Sequence, residues 1–172
     1  MELADIYNAR REKTGKVVDR KTYSLQEGEF LLCVGCWVFN SRHEIFLTRR
    51  ALSKDFMPGK WENPAGHVIA GETGREAMAR ELFEETGIKA APEDFFLFAE
   101  SANNDYSFGE EYVLFRDFKT DAVTLQDGET CDCKWVCEEE FERMVREGEV
   151  ASSVAEHLAP HKEAWLKLLH RE

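Results

Sequence analysis

Four glutamates in residues 66–88, GHVIAGETGREAMARELFEETGI, are the side chains best suited to chemistry. Glu72 lies in a glycine-bearing loop, and Glu81, Glu84 and Glu85 follow on a segment that reads as helix. At about 100° per residue those three fall within roughly 100° of arc, on one face. Like charges at such spacings repel by about a few tenths of a kcal/mol each. A helix made only for solvation would interleave cations, and none is expected on this face. A hard divalent cation, Mg²⁺ or Mn²⁺, takes oxygen ligands and would account for the cluster directly. The plainer reading is a solvated acidic face.

Thr73 followed by Glu76 is a capping-box pattern that predicts the helix start. Gly87 is the expected C′ residue, where a left-handed turn meets no Cβ clash. Met78, Ala79, Leu82 and Phe83 occupy the arc beside the glutamates and are expected to form the buried side.

The spacing narrows the choice. Gly66, five residues, Glu72, seven residues, then Arg80-Glu81-Leu82-Phe83-Glu84-Glu85-Thr86-Gly87-Ile88 fills every constrained position of the Nudix box. The sequence therefore resembles the Nudix hydrolases. The resemblance implies an α+β fold, the Nudix fold, with a mixed β-sheet in an α/β/α sandwich. It implies cleavage of a diphosphate bond in a nucleoside diphosphate-linked or related small molecule. By the same resemblance Glu81, Glu84, Glu85 and the Gly66 carbonyl hold Mg²⁺, with Mn²⁺ a substitute, and Glu72 pairs with Arg80 to brace loop against helix. The proton acceptor stays open among Glu84, Glu85 and a glutamate from a later loop. Glu129, six residues before Trp135, is the leading choice, with Glu110 and Glu111 as alternatives.

The segment 39–68 also resembles type 1 isopentenyl-diphosphate isomerase. That resemblance places a catalytic cysteine where this chain has Ala65, and two metal-binding histidines near Ser24 and Leu31. Hydrolase chemistry is the expectation, with isomerase-like activity or a non-catalytic nucleotide sensor as alternatives.

Net charge is −12 and no basic run is present, which speaks against a nucleic-acid polymer as partner. The partner implied is a small diphosphate. Anionic substrate entering an acidic cleft needs placed cations; Arg49, Arg50 and Lys54 are the candidates, since a guanidinium grips two oxygens at once. An ordinary surface role is the alternative for each. No run of eighteen apolar residues predicts a membrane span, and the N-terminus lacks the apolar stretch of a signal peptide. Five cysteines, an odd number, suit a reducing, cytoplasmic setting. Cys33 and Cys36 have metal-like spacing, but in a strand an odd offset points them to opposite faces.

One domain over residues 1–172 is expected: an N-terminal hairpin (1–29), a core (30–137) and C-terminal helices (138–172). FLLCVGCWVF reads as a strand covered on both faces, followed by a returning strand at 44–49. Strands are predicted at 94–100, 111–117 and 133–137, with the polar stretch 101–110 as a loop. Helices are predicted at 138–146, 150–158 and 160–170. Trp165, Leu166, Leu168 and Leu169 form an apolar stripe on the last one, for core or homodimer packing.

Overall fold

The computed structural model describes residues 1–104 and 106–171, with the side chains of 102–104 outside the described set. Strands β1 (Leu3–Tyr7) and β2 (Lys13–Asp19) form an antiparallel hairpin. Its turn is closed by Asn8 Oδ1, which accepts the Arg10 and Glu12 N–H groups. Next comes β3 (Leu31–Phe39), then β4 (Ile45–Arg50). The two meet as antiparallel neighbours only at Phe39 and Ile45 and then diverge.

The fork between them is filled by two very short strands. β5 (Trp61–Glu62) pairs with β4, and β6 (Ala65–His67) pairs with β3. The Pro64 carbonyl, between the two, accepts the Cys36 N–H. From β6 the chain enters α1 (Gly74–Thr86). Strands β7 (Phe96–Asn104), β8 (Ser107–Phe115) and β9 (Thr130–Val136) complete the larger sheet. β8 runs parallel to β3, and the β7–β8 and β4–β9 pairings are antiparallel, so the sheet is mixed. The chain ends in α2 (Glu138–Arg146), α3 (Ser152–Leu158) and α4 (Lys162–His170).

Alternation along β3 builds two cores. Leu32, Val34, Cys36 and Val38 pack with Ala77, Met78 and Leu82 of α1. Trp37 and Phe39 face the other way, onto Phe141 and Met144 of α2 and Trp165 and Leu169 of α4. The sheet is thus sandwiched between α1 and the C-terminal helices. Cys33 and Cys36 do lie on opposite faces, and the stripe on α4 is spent on the core.

Several details differ from the sequence reading. Phe83 was expected inside, yet it is 47% exposed, with the Lys89 ammonium over its ring. The stretch 101–110 was expected as a loop. Instead its described residues extend β7 and begin β8, because Leu31–Phe39 supplies a parallel partner all along Ser107–Phe115. Pairing of this kind overrides weak local preference. Asp105, within that stretch, lies outside the described residues. β9 begins at Thr130, ahead of the expected Cys133, since β4 offers partners that far. Pro160 falls in a 3₁₀ turn before α4, and Pro92–Asp94 in another before β7.

The start of α1 is as the pattern required. Thr73 Oγ1 accepts the Glu76 N–H at 3.3 Å, and Glu76 Oε2 accepts the Thr73 N–H at 2.8 Å. Gly87 closes the helix at φ 72°, its N–H donating to the Phe83 carbonyl. Replacing Thr73 with Ala should lower stability by about 1 kcal/mol, seen as a lower urea midpoint with an unchanged slope. An unshifted midpoint would mean that the cap contributes nothing to holding α1.

Candidate active site

A cleft of about 1160 Å³ opens along the face of β3 that carries Cys33 and Trp37. Its acidic wall comes from α1, which presents Glu81, Glu84 and Glu85, and from Glu62, Glu111 and Glu129. Gly66 lies directly against this wall. A Cβ at that position would overlap the Glu81 carboxylate, so the glycine leaves that space to the Glu81 side chain.

Arg80 organises the acids. Its Nε donates to Glu72 Oε1 at 2.8 Å and its Nη2 to Glu72 Oε2 at 2.9 Å, a two-pronged grip. Nη2 also donates to the His67 carbonyl at 2.9 Å. Nη1 reaches Glu81 Oε1 at 2.7 Å and Glu84 Oε2 at 3.2 Å. The acidic face therefore does carry a cation, contrary to expectation. Arg80 is counted as a neighbour in the box, but its long side chain folds back over the glutamates.

Burial is the largest influence on four of these acids, Glu62, Glu81, Glu85 and Glu111. It raises the pKa of Glu81, with Arg80 pulling the other way. It raises Glu85 well above the ordinary carboxylate range, and the charges of Glu62, Glu81 and Glu129 push in the same direction. Glu62 is raised by burial too, against the Arg50 guanidinium. Oxygen donors crowded at such a cost in repulsion suit a hard dication: Glu81, Glu84, Glu85 and the Gly66 carbonyl are the groups that could hold it. Among the described residues no three His, Cys, Asp or Glu side chains are already drawn into a cage. Arg80 instead engages two of the set.

The cations expected to meet phosphate are placed unequally. Arg50 lines the cleft but donates through Nη1 to both Glu62 oxygens, at 2.9 and 3.0 Å. Lys54 also lines it, ion-paired with Glu129. Arg49 is not among the described residues lining the cleft; its Nε donates to the Gly59 carbonyl and its guanidinium lies over the Trp61 ring. Adjacent residues of a strand tend toward opposite faces, and of this pair only Arg50 lines the cleft.

Glu111 emerges more strongly than its sequence suggested. It stands opposite Gly35 in the β3–β8 register, with its carboxylate over that glycine. A Cβ on Gly35 would come within 2.7 and 2.8 Å of its two oxygens. Asn63, itself buried, donates to Glu111 Oε2 at 3.4 Å. Burial lifts the Glu111 carboxyl to about 7, while that hydrogen bond opposes the rise. Glu110 points elsewhere, to the Tyr112 hydroxyl and the start of α1. Glu62, Asn63 and Gly35 were missed in the sequence. A glycine inside an otherwise apolar strand was the available signal, since it marks a close approach.

Residues 29–157 match the NUDIX domain family. The chain belongs to the Nudix hydrolase family. Members of that family are enzymes acting on pyrophosphate bonds, and the fold here is the Nudix fold. An uncharacterised Nudix hydrolase of Listeria monocytogenes is 32% identical over 154 residues, spanning 87% of this chain and 88% of that one. Isopentenyl-diphosphate Δ-isomerase of Escherichia coli is 30% identical over 137 residues, 76% of this chain and 74% of the other. Among solved structures, a Deinococcus radiodurans protein superposes with TM-score 0.70 at 23% identity, over 87% of this chain and 92% of its own. The NUDIX domain of Shewanella oneidensis NrtR, solved with ADP ribose, gives 0.63 at 20% identity over 86% and 94%. A bifunctional NMN adenylyltransferase/ADP ribose pyrophosphatase of Francisella tularensis, solved with AMP and a manganese ion, gives 0.58 at 18% identity. That match covers 77% of this chain and 42% of the other. These solved neighbours share the fold with the present chain. No helix among its described residues is long and apolar enough to cross a membrane.

The raised Glu111 carboxyl ties stability to pH in this Nudix protein. Its ordinary value is 4.5 and its folded value about 7, so ionisation opposes folding. The stability it lends is complete at low pH and is lost as pH rises through that interval. In metal-free protein, Glu111→Gln should raise stability at about pH 8 by up to ~3 kcal/mol, with little gain at about pH 4. Chemical denaturation across pH checks this, and variant and parent curves that run parallel would refute it.

Proposed function

We propose that this chain hydrolyses the P–O–P bridge of a small diphosphate compound, nucleoside diphosphate-linked or related, with Mg²⁺ as its metal. The observation that carries the reading is one cleft joining the box carboxylates to a recessed Glu111. Glu81, Glu84, Glu85 and the Gly66 carbonyl would hold the ion, with Mn²⁺ able to replace it. Bound there, a dication neutralises diphosphate oxygens and lowers the pKa of water.

The chain's own residues do the rest. Arg80 clamps Glu72 and the His67 carbonyl, which keeps β6 and α1 in register, so the ligand set stays aimed at one place. Glu111 takes the proton from the attacking water as the P–O bond to the leaving phosphate breaks. Its seat over Gly35 beside Asn63 supports that role better than Glu129, which is engaged by Lys54. A carboxylate poised near neutrality is suited to general base work. Arg50 and Lys54 meet the incoming diphosphate by exchanging their glutamate partners for phosphate oxygens.

Ligands bound by the structural neighbours, ADP ribose and AMP with manganese, support a nucleotide-type substrate. The odd cysteine count supports a reducing, cytoplasmic setting. Identity with the isomerases favours a second reading, a double-bond shift on a prenyl diphosphate. Against it, Ala65 lines the cleft where a thiol is required, and burial pushes the thiol that does face the cleft, Cys33, up to about 11.

Glu84→Gln and Glu85→Gln should each lower kcat by at least ~10²-fold while circular dichroism shows the fold intact. Full turnover in either folded variant would remove the metal assignment. Glu111→Gln should cost ~10²-fold or more, and Glu129→Gln under ~10-fold. The reverse order would return the proton-accepting role to Glu129. The substrate is sought in a Mg²⁺-dependent screen over nucleotide sugars, dinucleoside polyphosphates, nucleoside triphosphates and prenyl diphosphates. Isomerisation of isopentenyl diphosphate without hydrolysis of any member would favour the second reading.

A further inference from the structure

Away from the cleft, three elements meet at the end of α4: the turn between β3 and β4, the first turn of α2 and the last turn of α4. They bring together His43, Glu138 and His170. None of these is among the described residues lining the cleft, and His170 lies past residues 29–157, the stretch that matches the family. The two imidazole centroids are 5.7 Å apart, with ring planes inclined at 36°. Both histidines are exposed, so ions in solution reach them.

Each ring has one nitrogen held by an oxygen that only accepts. His43 Nδ1 stands 2.8 Å from the Leu169 carbonyl, and His170 Nε2 stands 2.7 Å from Glu138 Oε2. Neither a carbonyl nor an ionised carboxylate has a proton to give, so both nitrogens are the N–H donors. In the neutral rings this leaves a bare lone pair on His43 Nε2 and on His170 Nδ1. An imidazole that ligates a metal has the same arrangement: its other nitrogen donates to a carbonyl or carboxylate, which fixes the tautomer and raises ligand basicity. A simple tether between turn and helix needs one such ring, and here there are two side by side.

The spacing suits one shared ion. With a metal about 2.0–2.1 Å from each nitrogen, the centres of two rings on one ion are about 5 to 6.4 Å apart. The surroundings add negative charge, since Glu139 is close enough to interact electrostatically with His170. The nearby arginines are committed elsewhere. Arg42 pairs with Glu44, and Arg171 donates to the Asn40 carbonyl and lies over the Phe115 ring.

We propose that His43 Nε2 and His170 Nδ1 share a transition-metal dication such as Zn²⁺, with Glu138 orienting His170 and water completing the coordination. Imidazole donors select such an ion over Mg²⁺, which the oxygen donors of α1 suit better. Bound there, the ion ties α4, whose Trp165 and Leu169 are buried, to the β3–β4 turn. The proposal is independent of the reading of the cleft and is tested without turnover.

The full chain, with exposed Cys131 and Cys137 replaced by serine so that they do not take the metal, is titrated with zinc chloride. Mg²⁺ at about 10 mM keeps oxygen sites occupied. A mildly alkaline buffer is used, because a metal takes imidazole only in its neutral form. Imidazole resonances are followed by NMR and assigned through His43→Asn and His170→Gln; Asn suits the left-handed backbone at position 43, φ 60°. Both resonances should move together and saturate with one zinc ion. Losing either ring should weaken zinc binding at the other at least ~10-fold, and Glu138→Gln should weaken it by ~10-fold. Zinc should also raise the urea midpoint of the parent more than that of either histidine variant. Movement of one imidazole alone, movement of neither, or equal zinc affinity in parent and histidine variants would overturn the proposal.

Discussion

Carboxylates brought close in a partly dry cleft repel, by about 4 kcal/mol for a pair 4 Å apart at an effective dielectric of 20. Glu62, Glu81, Glu84, Glu85, Glu111 and Glu129 share one such cleft. The fold tolerates them because single cations are aimed with care. Arg80 serves Glu72, Glu81 and Glu84 together with a backbone carbonyl. Arg50 serves Glu62, and Lys54 serves Glu129. What remains are Glu85 and Glu111, where burial dominates and favours the uncharged acid. Positive charge brought into the site would favour their ionised forms, and the proposed chemistry builds on that.

Placement of the acids comes from a defect in the sheet. β3 and β4 separate after a single paired position, and the chain returns to fill the gap with β5 and β6. The filling is made of short, irregular backbone, so it can carry functional groups that a continuous ladder would bury. Glu62, Asn63, Gly66 and His67 all come from it. Two glycines then set the approach distances: Gly66 admits Glu81 and Gly35 admits Glu111. The parallel β3–β8 pairing fixes which residue of β8 meets Gly35, so a one-residue slip would remove Glu111 from the cleft.

The remaining walls come from distant parts of the chain. Met1, Glu2 and Leu3 with Arg20 and Lys21 border the cleft from the N-terminal hairpin, and α3 borders it from the other end. Arg11 pins the hairpin, donating to the Ser101 and Gly109 carbonyls and covering the Phe108 ring. That contact couples the hairpin to the same β7–β8 pair that positions Phe98 and Glu111.

The amino-acid order alone settled what is local. The helix cap at Thr73, the stop at Gly87, the one-sided array of Glu81, Glu84 and Glu85, and the opposite facing of Cys33 and Cys36 all follow from spacing, because helix and strand periods are short-range rules. Which cations serve which acids was beyond it. Arg49 and Arg50 look equivalent in a list of residues, yet strand alternation and the neighbours β5 and β9 send only Arg50 into the cleft. Glu111 and Glu129 likewise differ by no local signal; burial over Gly35 separates them, and burial is a property of what packs nearby. Within the polar stretch, residues 101–104 and 107–110 became strand because β3, far earlier in the chain, was there to pair with β8, and β8 with β7, beyond the reach of any local pattern. Tertiary structure decided long-range pairing, desolvation and ion partners, since each depends on residues that only folding brings together.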